Sequence, residues 1–379
     1  EMFFGADNNY IVFGQNNPND SDSTEVIRIV KYSKTWKRLA SYSMYGANTY
    51  APFDAGSLRM IEIDGLLYIH TCHEMYDDGD GLHHQANMTI VINESDMSLN
   101  QDYHDVMNLA QAGYVSHSFN QFIRIDGRYV YRVDHGDSNP RSIVTTLCSV
   151  GGDITKVGYI TNFKILGGSG NNYTGVTLFG FELSSNNMLI LGNSIDQNNF
   201  SKSKQRNLFL TVSMKDYGDA TEPVKTIWLT DYAEGSDVSI NQAHLTKLND
   251  ESFMVSWEET TGSKTVTMIV TIDGRGNFTS DIYSTKYRLS ECEPVCSADG
   301  YVRWYSANDG KPVFYTVNPF DPSLIIGLPG DLNNNGEIDS ADILKVKAYI
   351  KGTGPLTDEE FTAADIDGDG NVNTADLLK

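Results

Sequence analysis

Basic residues are scarce in this sequence. Its 379 residues include 28 Lys and Arg against 50 Asp and Glu, which gives a formal net charge of −22 at pH 7. A protein with this charge repels the phosphate backbone of nucleic acids and the anionic surface of a membrane. We therefore expect neither nucleic acid nor a membrane among its partners.

Cysteine and long apolar runs are also rare. Four cysteines are too few for a disulfide-rich scaffold. Within one strand, Cys292 and Cys296 would stand roughly 13 Å apart, too far to bridge, so we expect buried, reduced thiols. No apolar run approaches the ~20 residues that span a bilayer, and the chain starts at Glu1 without a signal-peptide pattern. We interpret the sequence as a soluble, mature form.

A repeated hairpin pattern fills the first 318 residues. Each repeat has an apolar strand, a short Asn- or Asp-containing turn, and a second strand rich in aromatic and β-branched residues. Such turns tolerate the positive φ angles of tight hairpins. Successive turns lie between 50 and 63 residues apart, at Asn8-Asn9, Asp64-Gly65, Asp126-Gly127, Asn186-Asn187, Asn249-Asp250 and Asp299-Gly300.

The repeats predict an all-β fold. A third apolar strand and a weaker fourth follow each hairpin, for example around Leu208 and Thr226. Four antiparallel strands repeated six times indicate a six-bladed β-propeller over residues 1–318, whose radial closure protects sheet edges. A large β-sandwich or a β-helix is the alternative. The first blade is expected to be short, because only Met2-Phe3-Phe4 precedes its turn.

Polar loops point to a functional rim on this propeller. Loops from second to third strands and between blades share one face in a propeller and carry function. The predicted glycan-binding rim consists of His73, His135, Trp257, Glu259, Tyr305 and Asn308. A hydrolytic site needs a carboxylate pair, and the candidates are Glu74, Asp137, Glu258, Glu259 and Asp309. Sequence gives no separations, so no pair is singled out.

Histidines cluster in the second repeat, at His70, His73, His83 and His84. Residues three apart on a strand point to opposite faces, so His70 and His73 make a poor metal chelate. We expect solvated loop histidines there.

A different residue pattern begins after Gly330. Two twelve-residue loops carry oxygen-bearing side chains at positions 1, 3, 5, 9 and 12, Gly at position 6 and an aliphatic residue at position 8. This spacing gathers oxygen ligands around Ca²⁺. The predicted ligands of two calcium sites are Asp331, Asn333, Asn335, Glu337, Asp339 and Asp342 in the first loop, and Asp365, Asp367, Asp369, Asn371, Asn373 and Asp376 in the second.

Each loop leads into a helix. Ile343, Val346 and Ile350 share one helical face before Gly352, and Thr357 to Glu360 forms a capping-box pattern for a middle helix. With Asp at position 12 and no helix before the first loop, residues 330–379 resemble the type I dockerin of cellulosomal proteins. The second helix would be cut short at Lys379. Residues 319–329 are expected to be a short, partly apolar linker, whose Leu324-Ile325-Ile326 could close the last blade or pack the dockerin against it.

The resemblance implies a partner and a location. Dockerins of this family bind the cohesin modules of a scaffoldin with loop positions 10 and 11 and the following helix. By position, the cohesin-binding residues would be Ser340, Ala341, Lys347, Ala348, Thr374 and Ala375. The protein is then expected to be a secreted component of a bacterial extracellular or cell-surface complex.

The activity of the propeller is left open by the sequence. It could bind polysaccharide, process it as a glycoside hydrolase or polysaccharide lyase, or bind another protein. Fold alone does not choose between these classes.

Overall fold

The computed structural model describes residues 1–54, 56–105, 120–138, 140–215, 224–308, 311–326, 329–333, 338–367 and 369–378. Two compact units divide the chain, Glu1–Gly235 and Ser236–Lys379. This division does not coincide with the predicted boundary between the propeller and the calcium-binding tail. Sheets are numbered 1 to 6 in chain order.

Sheets 1 and 2 begin the first unit. Sheet 1 has the strand order β1-β2-β3-β4, and in sheet 2 both β5 and β6 pair with the same side of β7, followed by β8 and β9. The strands are β1 (Met2–Phe4), β2 (Asn8–Gly14), β3 (Glu25–Ser33), β4 (Arg38–Tyr45), β5 (Ala51–Pro52), β6 (Arg59–Ile63), β7 (Leu66–Glu74), β8 (Gln85–Asn93) and β9 (Leu99–Tyr103). The first strand of sheet 2 is thus split in two, and β1 is short, as predicted.

Sheets 3 and 4 complete the first unit, and each is a four-stranded antiparallel meander. Sheet 3 consists of β10 (Gln121–Ile125), β11 (Tyr129–Gly136), β12 (Ser142–Ser149) and β13 (Gly158–Lys164). Sheet 4 consists of β14 (Val176–Leu183), β15 (Asn187–Ser194), β16 (Asn207–Met214) and β17 (Lys225–Trp228). The first strands β6, β10 and β14 lie next to one another.

The second unit holds two further meanders and the helices. Sheet 5 consists of β18 (Val238–Asn249), β19 (Ser252–Thr261), β20 (Lys264–Asp273) and β21 (Tyr283–Thr285). Sheet 6 consists of β22 (Val295–Cys296), β23 (Val302–Asn308), β24 (Lys311–Asn318) and β25 (Asp321–Ile326). The helices are α1 (Ser340–Ile350) and α2 (Asp358–Ala364), with 3₁₀ turns at Gln197–Asn199 and Asp376–Leu378.

The fold class is the predicted one. Six consecutive antiparallel sheets joined as meanders fit a β-propeller of about six blades. All six predicted turns fall in or beside the hairpin that joins the first and second strands. At Asp64-Gly65 both residues have positive φ angles, 52° and 76°, and Ile63 faces Leu66 across a two-residue turn.

The prediction of a linker at 319–329 needs a correction, because part of this segment is a strand. Residues 321–326 form β25, and Val317 of β24 pairs with Ile325. The run Leu324-Ile325-Ile326 explains the difference, because apolar β-branched residues favour a strand at a sheet edge that is still open.

The middle strands of sheets 2, 3 and 4 are buried on both faces. The interior seven residues of β7 and of β8 are all buried. Apolar side chains from sheets 1 and 2, from sheets 2 and 3, and from sheets 3 and 4 form common cores, and sheets 5 and 6 share another. All four cysteines are free, with Cys72 and Cys148 buried. Within the described residues, neither helix has the length and apolar character needed to cross a bilayer.

A polar network lies in the interior between sheets 2 and 3. The fully buried Asp134 carboxylate lies 3.1 Å from His70 Nε2 and accepts a hydrogen bond from Asn87 Nδ2 at 3.1 Å. Thr89 Oγ1 lies 3.0 Å from His70 Nδ1 and accepts from the buried Arg132. Buried polar groups need such partners, because water cannot replace them.

We expect Asp134→Ala to lower the free energy of unfolding by about 3 kcal/mol, since it leaves buried donors without their acceptor. Urea unfolding followed by tryptophan fluorescence measures this. Asp250→Ala is the control, because Asp250 lies in an exposed turn beside Lys247 and its loss should change stability little. Equal stability losses in the two variants would contradict a structural role for the network.

Candidate functional site

The loops on one side of the first unit carry its polar side chains. These loops join second to third strands, at residues 75–84, 137–141 and 195–206, or lead from one sheet to the next, as at 46–58 and 165–175. The predicted rim residues His73 and His135 stand at the ends of β7 and β11, where these loops begin.

The histidine cluster of sheet 2 differs from the sequence expectation. His70 and His73 are fully buried, because the strand that carries them is covered on both faces. His73 Nδ1 lies 2.7 Å from Thr49 Oγ1, and burial lowers the pKa of His73 to about 3. His83 and His84 are partly exposed, so the expectation of solvated histidines holds for them only.

An exposed acidic group occupies the loop between β7 and β8. One ligand atom each of Asp78, Asp80 and His84 lies within 4.8 Å of the others, and His84 Nε2 lies 2.8 Å from Asp80 Oδ2. The Asp77 carboxylate accepts hydrogen bonds from the backbone N–H groups of Gly79 and Gly81. This loop is therefore organised by its own side chains.

His135 and Asp137 lie near each other where β11 of sheet 3 ends. Both are buried, and His135 Nε2 lies 3.1 Å from Thr174 Oγ1. Burial lowers the pKa of His135 to about 3; nearby Asp137 opposes this effect, and Arg206 and Arg141 add to it. The ring is therefore neutral at pH 7 and suited to hydrogen bonding rather than to charge.

Arg141 organises the loops around this site. Its guanidinium donates to the carbonyl oxygens of Asp137 at 2.9 Å, Asn171 at 2.6 Å and Tyr173 at 2.7 Å. It thereby ties the β11–β12 loop to the loop that enters sheet 4, which carries the half-exposed Tyr173. We call His135, Asp137, Tyr173, Thr174 and Arg206 the sheet 3–4 mouth.

Sequence reasoning found only part of this mouth. It selected His135 and Asp137, but missed Tyr173, Thr174 and Arg206. Arg206 stands at the end of a long polar loop that the sequence indicates. No motif marks the residue itself, since its role depends on side chains from β14 and β15.

The rim residues predicted in the second unit have diverse surroundings. Trp257 is 1% exposed, so its ring packs in the interior, and its Nε1 donates to Glu259 Oε1 at 2.9 Å. Tyr305 is 42% exposed and lies near Phe314. Asn308 ends β23, and its side chain lies outside the described residues.

The candidate carboxylates lie in different surroundings. Glu258 is buried, accepts two hydrogen bonds from Arg288 at 2.7 and 2.9 Å, and also accepts from the Leu289 N–H. Its neighbour Glu259 points to the other face of β19. Glu74 and Asp137 belong to different sheets, and Asp309 lies outside the described residues. The geometry of Glu258 is that of a structural ion pair.

The two tail loops share one hydrogen-bond pattern. In the first, Asp342 Oδ1 accepts from the N–H groups of Leu332 and Asn333, and Oδ2 accepts from that of Asp339. In the second, Asp376 does the same with Ile366, Asp367 and Asn373. The aspartate at position 12 therefore closes both loops.

Carboxylates converge in the second loop. Oxygen atoms of Asp365, Asp367 and Asp369 lie within 4.8 Å of one another, which suits the oxygen coordination of Ca²⁺. Burial alone would raise the pKa of Asp376, but its three backbone hydrogen bonds outweigh burial and lower it. In the first loop Asp331 and Asp342 are buried, whereas Asn335 and Glu337 lie outside the described residues.

The predicted cohesin-binding positions lie at the surface. Ser340, Ala341 and Lys347 are exposed on α1, Ala348 is half-buried, and Thr374 and Ala375 are exposed in the second loop. Leu344 and Ile343 are exposed on the same helix, 64% and 40% respectively. The sequence analysis did not select these two apolar residues.

The buried histidines predict a pH-dependent stability. Folded His73 and His135 have pKa values of about 3, against 6.5 for an ordinary histidine, so the unfolded chain binds more protons between these values. The free energy of unfolding therefore falls as the pH falls below about 6.5. We expect each histidine to contribute about 1.4 kcal/mol per pH unit between pH 6 and pH 5.

Urea unfolding at pH 6 and pH 5 tests this expectation. His135→Gln should show a smaller loss of stability over this interval than the unmodified protein. The pKa of His104 is raised by its hydrogen bond to Asp102, so the contribution of His104 to the pH dependence has the opposite sign and is the same in both proteins. An unchanged pH dependence in the variant would show that His135 does take up a proton in the folded state.

Comparisons with known proteins give different results for the propeller-like body and for the C-terminal tail. No curated protein matches it. Among solved structures, the β-propeller domain of the Trilobed protease from Pyrococcus furiosus shares 9% identity over 83% of this chain and 79% of that one, with a TM-score of 0.43. A Penicillium chrysogenum α-L-arabinanase shares 11% identity over 72% of this chain and 80% of that one, with a TM-score of 0.45.

An α-L-arabinofuranosidase of Fusarium graminearum is similar to the same degree, with 11% identity over 71% of this chain and 79% of that one and a TM-score of 0.44. The family described as the dockerin type I domain matches residues 329–379. This match agrees with the two acidic loops and the capped helices. It also agrees with the aspartate at position 12, which accepts three backbone hydrogen bonds in each loop. Residues 329–379 are a type I dockerin domain, C-terminal to a β-propeller-like body.

Proposed function

We propose that this protein is a secreted component of a bacterial cellulosome-type complex that docks to a scaffoldin cohesin and binds polysaccharide with its propeller. The dockerin match carries the proposal, because it supports a role as a cellulosome-type component. The two calcium sites would hold both loops in their binding conformation, since oxygen ligands gathered by Ca²⁺ order an EF-hand-type loop.

The cohesin surface would combine polar and apolar contacts. In the first loop, positions 10 and 11 are Ser340 and Ala341, the exposed first residues of α1. Leu344 adds apolar area on that helix. Ala341 N–H donates to Asp339 Oδ1 at 2.7 Å, and Ala375 N–H donates to Asn373 Oδ1 at 2.8 Å. These caps use the backbone, so the two alanine side chains are free to face a partner.

We expect the combined change Ala341→Arg and Ala375→Arg to abolish cohesin binding, because bulk and charge enter both copies of the surface. Surface plasmon resonance against a panel of type I cohesins measures binding. Calorimetric titration with Ca²⁺ is the control and should be unchanged, since the capping N–H groups remain. Retained cohesin binding with intact calcium loops would place the interface elsewhere.

The sheet 3–4 mouth is the proposed glycan-binding site. Tyr173 is 51% exposed and stands beside Phe200, with ring centroids 5.7 Å apart. Sugar rings pack well on an exposed aromatic face, while neighbouring polar groups bind the hydroxyls. The half-buried Arg206 supplies such a group here. The other predicted rim residues, including Tyr305 and Asn308, stay predictions.

Binding is favoured over hydrolysis by the state of the carboxylates. Glu258 is held in an ion pair and Asp137 is buried, whereas a glycosidase needs two carboxyl groups facing one another across a sugar ring. Reducing-sugar release from the same polysaccharides would reveal a hydrolase instead.

We expect Tyr173→Ala to weaken retention of the full chain on the polysaccharide that it binds best. Affinity electrophoresis through gels containing arabinan, xyloglucan, β-glucan or glucuronoxylan measures retention. Tyr159→Ala is a matched control, because Tyr159 is also exposed but lies on the outer strand β13. If no gel retains the protein, the glycan-binding proposal is wrong; if Tyr159→Ala has the larger effect, the site is misplaced.

A further inference from the structure

Arg206 is anchored at the sheet 3–4 mouth by one end of its guanidinium. Its Nη1 donates to Thr177 Oγ1 at 2.8 Å and to Asn193 Oδ1 at 2.9 Å. Thr177 belongs to β14 and Asn193 to β15, so two strands of sheet 4 fix the side chain. The guanidinium therefore has a defined position rather than a freely moving one.

The other end of this guanidinium is open. In the part of the chain that the structure describes, no carboxylate forms an ion pair with Arg206, and Nε and Nη2 have no hydrogen-bond partner. Arg124, which is also half-buried, instead pairs with Glu182 at 2.8 Å. Burial lowers the pKa of Arg206, which shows that its charge is poorly solvated.

The surroundings of Arg206 suit a sugar that carries a negative charge. The nearby Tyr173 acts against burial to raise the pKa of Arg206, and the Tyr173 ring is exposed at the same mouth. His135 is buried and neutral, and the hydroxyl group of the buried Thr174 lies 3.1 Å from its Nε2. A guanidinium with two adjacent N–H groups free matches the two oxygens of a carboxylate.

We propose that Arg206 binds the carboxylate of a uronic acid, carried as an isolated substituent on an otherwise neutral polysaccharide. This inference rests on the proposed glycan-binding function and specifies its ligand. The restriction to isolated charges follows from the formal net charge of −22, which repels a densely charged polyanion. A single open arginine can compensate one carboxylate at short range, because salt screens charges beyond about 8 Å.

The test compares 4-O-methylglucuronoxylan with the same xylan after chemical reduction of its carboxyl groups. The full chain should bind the acidic xylan about tenfold more tightly by calorimetry, because a charge-assisted hydrogen bond is roughly twice as strong as a neutral one. Arg206→Gln should remove this preference, so that the variant binds the acidic and the reduced xylan equally. Arg128→Gln is the matched control, since Arg128 is an exposed arginine in the turn between β10 and β11.

A second variant guards against simple misfolding. Arg206→Lys keeps the cation but loses the planar pair of donors, so it should retain an intermediate preference, and its thermal unfolding should match that of the unmodified protein. Polygalacturonate should bind no more tightly than glucuronoxylan.

The outcomes separate the two proposals. Equal binding of both xylans by the unmodified protein, or a preference that survives Arg206→Gln, overturns the uronate inference and leaves glycan binding standing. Tighter binding of polygalacturonate overturns the restriction to isolated charges. If neither xylan nor any neutral polysaccharide binds, the proposed function fails, and the inference fails with it.

Discussion

The structure depends on one constraint, which is that the middle strands of sheets 2, 3 and 4 have no solvent-facing side. Strands such as β7 and β8 are buried along their whole interior length. Apolar residues on both faces hold neighbouring sheets together through the hydrophobic effect. Any polar side chain in these strands must then find its partner inside the protein, as Asp134 does with His70 and Asn87. Function is thereby confined to the strand ends and loops.

The sequence predicted the repeating parts well, because local rules determine them. A two-residue Asp-Gly turn between apolar strands has few alternatives to a hairpin, and calcium loops need oxygen ligands at fixed spacing. The paired backbone closure by Asp342 and Asp376 was not foreseen, although the residues were. Sequence identified them as ligands, whereas the structure adds their role in holding three N–H groups each.

The remaining features depend on what covers a residue, and a single sequence does not give that. Strand alternation correctly placed His70 and His73 on opposite faces, but both faces are covered, so neither ring is solvated. Trp257 is interior for the same reason. Residues 319–329 were expected to be a short linker, yet an open edge on β24 was available and residues 321–326 pair with it as β25. Arg206 was missed because its anchors, Thr177 and Asn193, are distant in sequence.

The strand β25 has a mechanical consequence for the way the protein would be displayed. The chain leaves sheet 6 at Ile326 and enters the first calcium loop at Asp331, so the span between them is at most ~18 Å. Tyr287 of the second unit also contacts Glu359 of α2 through a 3.5 Å hydrogen bond. A dockerin held this closely has little freedom to swing relative to sheets 5 and 6. If it binds a cohesin as proposed, these two sheets would meet a fibre in a restricted range of orientations, and the search for ligand would fall to the scaffold's own linkers.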